Sequence, residues 1–230
     1  MLQTFYDSNN AYEIGVDEAG RGPLFGRLYV GAVVLPKGDN FASNEDRFKH
    51  EWMKDSKKFH SKKKIREVAE YIKQNAIAWS VQYVEAYTID DINIRQAVFR
   101  GMHAAIADIM QKQSMLIDPV LLIDGNDFKL YSVFDENLQE IRNIPHVTVE
   151  GGDNKYTSIA AASILAKVAR DTYIEDLCGK YPELVTKYGL DTNQGYGTKK
   201  HLDGIMEHGI TQWHRKTYGR CKDAYVNEII

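Results

Sequence analysis

The stretch Ile14-Gly15-Val16-Asp17-Glu18-Ala19-Gly20-Arg21-Gly22-Pro23 decides the reading of this chain. An apolar run ends in two adjacent carboxylates, and a Gly-Arg-Gly turn follows at once. Such a switch from apolar to acidic marks a buried strand whose end opens into a site. Neighbouring anions repel, and a divalent cation is the commonest reason for placing them side by side. The glycines allow backbone N–H groups to approach a phosphate or a sugar closely. Read alone, the same residues also suit a solvated turn after a strand, so the rest of the chain decides.

Two further strand ends repeat the pattern. Val120-Leu121-Leu122-Ile123 runs into Asp124-Gly125-Asn126, and Val147-Thr148-Val149 runs into Glu150-Gly151-Gly152-Asp153. If these strands are neighbours in one sheet, their acids converge at one edge. Clustered carboxylates without a cation or a proton are costly. Oxygen ligands alone point to Mg²⁺ or Mn²⁺ rather than zinc, and the chain offers no HExxH helix and no cysteine spacing for zinc. Ions held this way suit phosphoryl chemistry, in which a water is positioned and a leaving oxygen stabilised.

Between these points the chain alternates strands and helices. Residues 11–17 and 28–35 read as strands, 61–75 as a basic amphipathic helix with Ile65, Val68, Ala69 and Ile72 on one face, and 79–87 as a third strand. Residues 39–50 read as a polar surface excursion, 92–113 as a long helix, and 156–177 as a helix whose small residues Ala160, Ala161, Ala162, Ser163 and Ala166 suit close packing on a sheet. The tail beyond Pro182 is helical or irregular and separate in character. The order predicts an α/β or α+β sheet with a helical C-terminal appendage.

With 230 residues and 43% hydrophobic content, the chain is long enough for one large domain with a small addition. No apolar run of about 18 residues predicts a membrane span, and the first residues lack the pattern of a secretory signal. Cys178 and Cys221 read as reduced thiols of a cytoplasmic-type protein, although sequence leaves a disulfide open. The net charge of −3 hides an asymmetry. Lys54 to Arg66 holds seven Lys/Arg against one acid, and Lys199 to Lys222 holds six against two. Basic patches on an acidic body suit a polyanion, while a Lys-rich helix face also serves as ordinary solvated surface.

The motifs together resemble the ribonuclease HII family. They are Asp17-Glu18-Ala19-Gly20-Arg21-Gly22, Asp55-Ser56-Lys57-Lys58, Asp124-Gly125, Gly152-Asp153 and the run Ser158 to Asp171, followed by Gly195-Tyr196-Gly197-Thr198 and His214 to Gly219. The resemblance implies a ribonuclease H-like fold, a five-stranded mixed sheet flanked by helices with a helical C-terminal region. It implies a catalytic domain over 1–180 and a substrate-binding extension over 181–230. It further implies metal-dependent cleavage, 5′ to the ribonucleotide, in RNA/DNA hybrids and at single ribonucleotides embedded in duplex DNA. The family's four metal-site acids fall on Asp17, Glu18, Asp124 and Asp153, with Mg²⁺ or Mn²⁺ as cofactor. Gly20, Arg21 and Gly22 match the turn that reads the ribose 2′-hydroxyl, the group that separates RNA from DNA. Tyr196 matches the tyrosine that packs on the following deoxyribose, and Lys57 and Lys167 match basic positions near substrate phosphates.

The chain departs from the family pattern in places. The segment between Asp124 and Asp153 is longer than the resemblance leads one to expect, with the excess near Lys129 to Arg142. Tyr225 to Ile230 supplies no clamp-binding motif, which with the chain length favours a monomer. The type 3 relative has lysine where this chain has Arg21, and an N-terminal domain for which a first strand near residue 11 leaves no room. Two other readings stand beside the leading one: a metal-dependent DNA nuclease of the same fold, and a nucleic-acid-binding protein without catalysis. His214 reads as a structural or phosphate contact, and Ser163 as a residue that bonds a helix carbonyl or simply packs.

Overall fold

The computed structural model describes residues 1–37, 47–113, 118–135 and 139–227. Most of the expected excursion at 39–50, residues 114–117 and 136–138, and the last three residues of the C-terminal stretch lie outside the described residues. Two units appear: residues 1–18, 30–82 and 102–168 form the first, and 19–29, 83–101 and 169–230 the second.

The first unit is built on a five-stranded mixed sheet with strand order β3-β2-β1-β4-β7. The strands are β1 (Glu13–Ala19), β2 (Leu28–Val34), β3 (Ala78–Val84), β4 (Val120–Asp124) and β7 (His146–Val149). β1, β4 and β7 run parallel, with Val16 opposite Ile123 and Ile123 opposite Thr148. β2 is buried along its whole length, as its unbroken apolar run requires of a strand covered on both faces. α1 (Lys62–Asn75) starts at Ser61, whose hydroxyl accepts from the Lys64 amide, and buries Ile65, Val68, Ala69 and Ile72.

α3 (Thr157–Lys180) carries the small-residue run, and its contact with the sheet shows why the residues are small. A Cβ on Gly15 would stand 2.3 Å from the Ser158 carbonyl carbon, and one on Gly31 would stand 2.3 Å from the Ala162 carbonyl oxygen. Glycine on two strands and alanine on the helix thus bring backbone against backbone. Ala160, Ala161 and Ala162 join Val33, Ile65, Val68 and Ile72 in one core.

Several boundaries differ from the sequence expectations. The third strand ends at Val84, and Tyr87 already belongs to α2 (Ala86–Lys112). That helix is broken at Asn93 (φ 64°, ψ 163°), whose side chain accepts from the Gln96 amide and starts a fresh segment. The sequence-predicted start at 92 fits this second segment. The long stretch after Asp124 forms an unforeseen hairpin, β5 (Ser132–Asp135) with β6 (Glu140–Asn143).

The second unit holds the short helices α4 (Glu183–Tyr188), α5 (Leu190–Asn193) and α6 (Lys199–His208). Their core gathers Leu24, Phe25, Ile174, Leu184, Tyr188, Leu190, Ile205 and Ile210. Cys178 and Cys221 are free thiols. Among the described residues, no helix is long and apolar enough to cross a membrane.

Candidate active site

The register of the parallel strands gathers the acids. Val16 lies opposite Ile123, so the next step brings Asp17 level with Asp124. Asp124 in turn lies opposite Val149, and the Gly125 amide donates to the Val149 carbonyl at 3.0 Å. Gly151 then turns the chain through a left-handed conformation (φ 62°) into a short 3₁₀ turn, Gly152–Asn154, that carries Asp153. The Gly152 amide donates to Asp124 Oδ1 at 2.6 Å, joining the ends of β4 and β7. A Cβ at Gly152 would stand 2.5 Å from Ile159 Cδ1 and 3.2 Å from Asp124 Oδ1, so the turn admits only glycine without rearrangement.

These carboxylates act on one another electrostatically. Burial, then the charges of Glu18 and Asp124, hold the Asp17 carboxyl well above the usual carboxylate range. Burial, then Asp55 and Asp124, raise Asp153 in the same way. Both are nearly inaccessible, at 5% and 7% exposure. Two hydrogen bonds partly offset the strain at Asp17, one from the Ser163 hydroxyl and one from the Glu18 amide at 2.7 Å. Among the described residues, no three His, Cys, Asp or Glu side chains already form a ready-made ion site. The donor chemistry nevertheless fits a hard divalent cation: all four residues offer oxygen, and a cation would offset both the burial of Asp17 and Asp153 and the repulsion that adds to it.

A second layer of residues holds the acids in place, and sequence reading had not assigned these roles. Asn154 Nδ2 donates to Asp153 Oδ1 at 3.0 Å and to Asp55 Oδ2 at 3.3 Å. Asp55 also caps the 3₁₀ turn Ser56–Lys58 by accepting from the Lys57 amide. Ser56 Oγ lies 3.1 Å from Ser163 Oγ, so the hydroxyl that reaches Asp17 is itself held. The sequence reading of Ser163 as a packing residue or a carbonyl partner missed this, because only the fold brings position 56 to position 163. Lys57 is exposed and its charge acts on Asp153. Lys167 is half-buried and sits one helical turn beyond Ser163 on α3, on the same face.

In the second unit, the Gly20-Arg21-Gly22 turn is held from behind. Arg215, fully buried, donates from Nη2 to the Gly20 carbonyl (2.6 Å), from Nη1 to the Arg21 carbonyl (3.0 Å) and from Nε to the Gly26 carbonyl (3.0 Å). Burial lowers its pKa to about 10, which leaves it charged at neutral pH. Gly20 has φ +93°, and a Cβ there would lie 2.5 Å from Arg170 Nε. The carbonyls therefore face inward while Arg21 and Gly22 remain exposed. Tyr196 is half exposed, and a Cβ on Gly22 would stand 3.8 Å from its ring. Arg170 lies 5.7 Å from the centre of that ring and donates to the Gln194 carbonyl at 2.6 Å.

This sheet order, with its flanking helices, defines a ribonuclease H-like protein. The fold is similar to that of ribonuclease H2 from Pyrococcus horikoshii, with a TM-score of 0.68 at 23% identity over 92% of this chain and 96% of that one. It is also similar to a ribonuclease HIII solved in complex with Mn²⁺, with a TM-score of 0.61 at 16% identity over 93% of this chain and 68% of that one. The chain belongs to the ribonuclease HII family, whose model matches residues 14–221. It is 41% identical to the ribonuclease HII of Bacteroides thetaiotaomicron, over 96% of each chain. To that of Parabacteroides distasonis it is 44% identical, over 93% of this chain and 92% of the relative. The protein is a ribonuclease H-type nuclease, and dependence on divalent metal is typical of the family.

Proposed function

We propose that this enzyme cleaves the phosphodiester 5′ to ribonucleotides, both in RNA/DNA hybrids and at single ribonucleotides within duplex DNA. One observation carries the reading: Asp17, Glu18, Asp124 and Asp153 come from three neighbouring strand ends, where burial, and after it the charges of neighbouring acids, raises the proton affinity of Asp17 and Asp153. These four residues would hold two Mg²⁺ or Mn²⁺ ions. Such ions, when bound, lower the pKa of an attacking water and stabilise the departing 3′ oxygen.

The protein's own groups supply positioning. Glu18 N–H and the Ser163 hydroxyl hold Asp17, Gly152 N–H holds Asp124, and Asn154 holds Asp153, each in one orientation. Lys57 and Lys167 would take the substrate phosphates. Arg215 fixes the carbonyls of the Gly20-Arg21-Gly22 turn, so that the turn's exposed face is free to read the 2′-hydroxyl, while Tyr196 would pack on the adjoining deoxyribose. In this scheme the helices beyond residue 180 act as a substrate-binding extension to a catalytic domain over 1–180. Contacts of this kind read backbone rather than base edges, so sequence preference should be weak.

The test is Asp124→Asn. Asparagine keeps an oxygen that accepts from Gly152 N–H but removes the charge. Cleavage of a duplex carrying one ribonucleotide should be abolished, with duplex binding largely intact and the melting temperature unchanged or raised. Wild-type turnover would refute the assignment. An all-DNA duplex, run in parallel, separates this enzyme from a DNA nuclease of the same fold.

A further inference from the structure

Behind Tyr196 lies a pair of buried histidines that the proposed mechanism does not use. His201 and His214 are 0% and 1% exposed, and their Nε2 atoms are 3.1 Å apart. The protons in this pair can be assigned. The Thr211 amide donates to His214 Nδ1 at 2.9 Å. An amide N–H can only donate, so Nδ1 carries no proton, the Thr211 hydroxyl 2.9 Å from the same nitrogen donates to it as well, and a neutral His214 must carry its proton on Nε2. That proton points to His201 Nε2, which must then accept. His201 is left with its proton on Nδ1, 3.0 Å from the Tyr196 carbonyl. The chain therefore runs in one direction only, from Thr211 N–H through His214 and His201 to the Tyr196 carbonyl.

The surroundings keep both rings neutral. His214 stands edge-on to Phe25 (4.9 Å between ring centres) and packs on Tyr188 (5.0 Å), which also flanks His201 (6.0 Å). The Tyr188 hydroxyl donates its proton elsewhere, to the Gly209 carbonyl at 3.1 Å. Burial pushes His214 down to about 3 and lowers His201 as well. The Tyr196 carbonyl also accepts from the Thr198 amide at 2.8 Å, and the Tyr196 amide donates to the Asn193 carbonyl at 2.9 Å. The backbone of Tyr196 is thus tied on both sides, while its ring is half exposed beside Gly22.

We propose that His201 and His214 are positioning residues for Tyr196: a fixed-tautomer relay that sets the carbonyl of this residue and so aims its exposed ring at the sugar of the substrate. The claim rests on the reading of Tyr196 as a substrate contact. It assigns neither histidine to the chemical step.

The first test needs no substitution. Long-range ¹H–¹⁵N correlation spectra of the full chain at pH 7 should show His214 protonated at Nε2 alone and His201 at Nδ1 alone. The reverse tautomers, or a doubly protonated ring, would overturn the relay. The second test uses a duplex with a single ribonucleotide. His201→Leu removes the donor to Tyr196 and should raise KM about tenfold with kcat changed by no more than about twofold. His201→Asn, whose Nδ2 overlays the imidazole Nδ1, should restore most of the loss.

On a Tyr196→Ala background, His201→Leu should add nothing further, since its effect passes through the tyrosine. Full additivity on that background would overturn the proposal, as would an unchanged KM in a folded His201→Leu protein. A Tyr196→Ala enzyme with wild-type kinetics would instead sink the reading of Tyr196 itself. The two failures are therefore told apart by which single variant is silent.

Discussion

The Gly152 amide donates to Asp124 Oδ1 at 2.6 Å, so a backbone group at the end of β7 fixes a carboxylate at the end of β4. One hydrogen bond thereby sets the spacing of two strand ends that carry acids. It is made at a position where a side chain would collide with Ile159 and press closely on Asp124.

Gly152→Ala tests this junction. The added methyl meets Ile159 Cδ1 at 2.5 Å and must displace it or the turn. Overpacking of this kind costs about 1–3 kcal/mol. Urea unfolding should show that loss, and cleavage should fall by more than the fraction unfolded explains, because Asp124 moves with the turn.

Ser163→Ala removes the hydroxyl that links Asp17 to Ser56. A buried hydrogen bond to a charged group contributes about 1.5–3 kcal/mol. Part of that should appear as lost stability. Calorimetric titration with Mn²⁺ should also show weaker binding than wild type, since Asp17 then loses an orienting donor and keeps the Glu18 amide. Unchanged binding would mean that the hydroxyl orients nothing.

The acid side of the stability profile should carry the signature of His214. Its pKa is about 3 in the fold, against 6.5 when unfolded. The unfolded chain therefore takes up the proton first. The stability linked to this group is complete above pH 6.5 and is lost as pH falls toward 3, at about 1.4 kcal/mol per pH unit. His201, also lowered by burial, acts in the same sense. Denaturant melts at pH 7 and pH 5 should show a shallower decline for His214→Gln than for wild type. Parallel declines would show that the group is not buried as a neutral ring.

Arg215→Lys keeps a charge but loses the fork. Three carbonyls, those of Gly20, Arg21 and Gly26, share one guanidinium, and an ammonium on a flexible stem cannot serve all three in the same geometry. Each unsatisfied buried acceptor costs about 1–3 kcal/mol. The variant should melt earlier and lose part of its preference for a ribonucleotide over a deoxyribonucleotide at the cleavage position, measured as the ratio of kcat/KM on matched duplexes.

Much of this protein was legible along the chain. The apolar runs ending at Asp17 and Asp124 marked strands because buried backbone needs apolar side chains on both faces, and the glycines after them marked turns because few other residues accept positive φ. The small residues of α3 forecast a close approach to the sheet, since backbone contact leaves no room for larger side chains. The turn chemistry inside α2 was less visible: Asn93 interrupts a helix whose apolar spacing continues on both sides. The β5–β6 hairpin was hidden too, because its strands are short and largely exposed, and so lack a buried face to impose a clear alternation.

What sequence alone determined was the identity of the groups: which acids, which glycines and which lysines, in which order. Their partners were decided only when the chain folded. Ser56 meets Ser163, Asp55 reaches Asp153 through Asn154, and Arg215 reaches back to Gly20, across separations of 107, 99 and 195 residues for the Ser56–Ser163, Asp55–Asn154 and Arg215–Gly20 bonds. Local propensity acts over a few residues and sets the strands and helices. Hydrogen bonds between distant polar groups form where burial removes water as the competing partner, and strand register, not spacing along the chain, decides which groups are buried together.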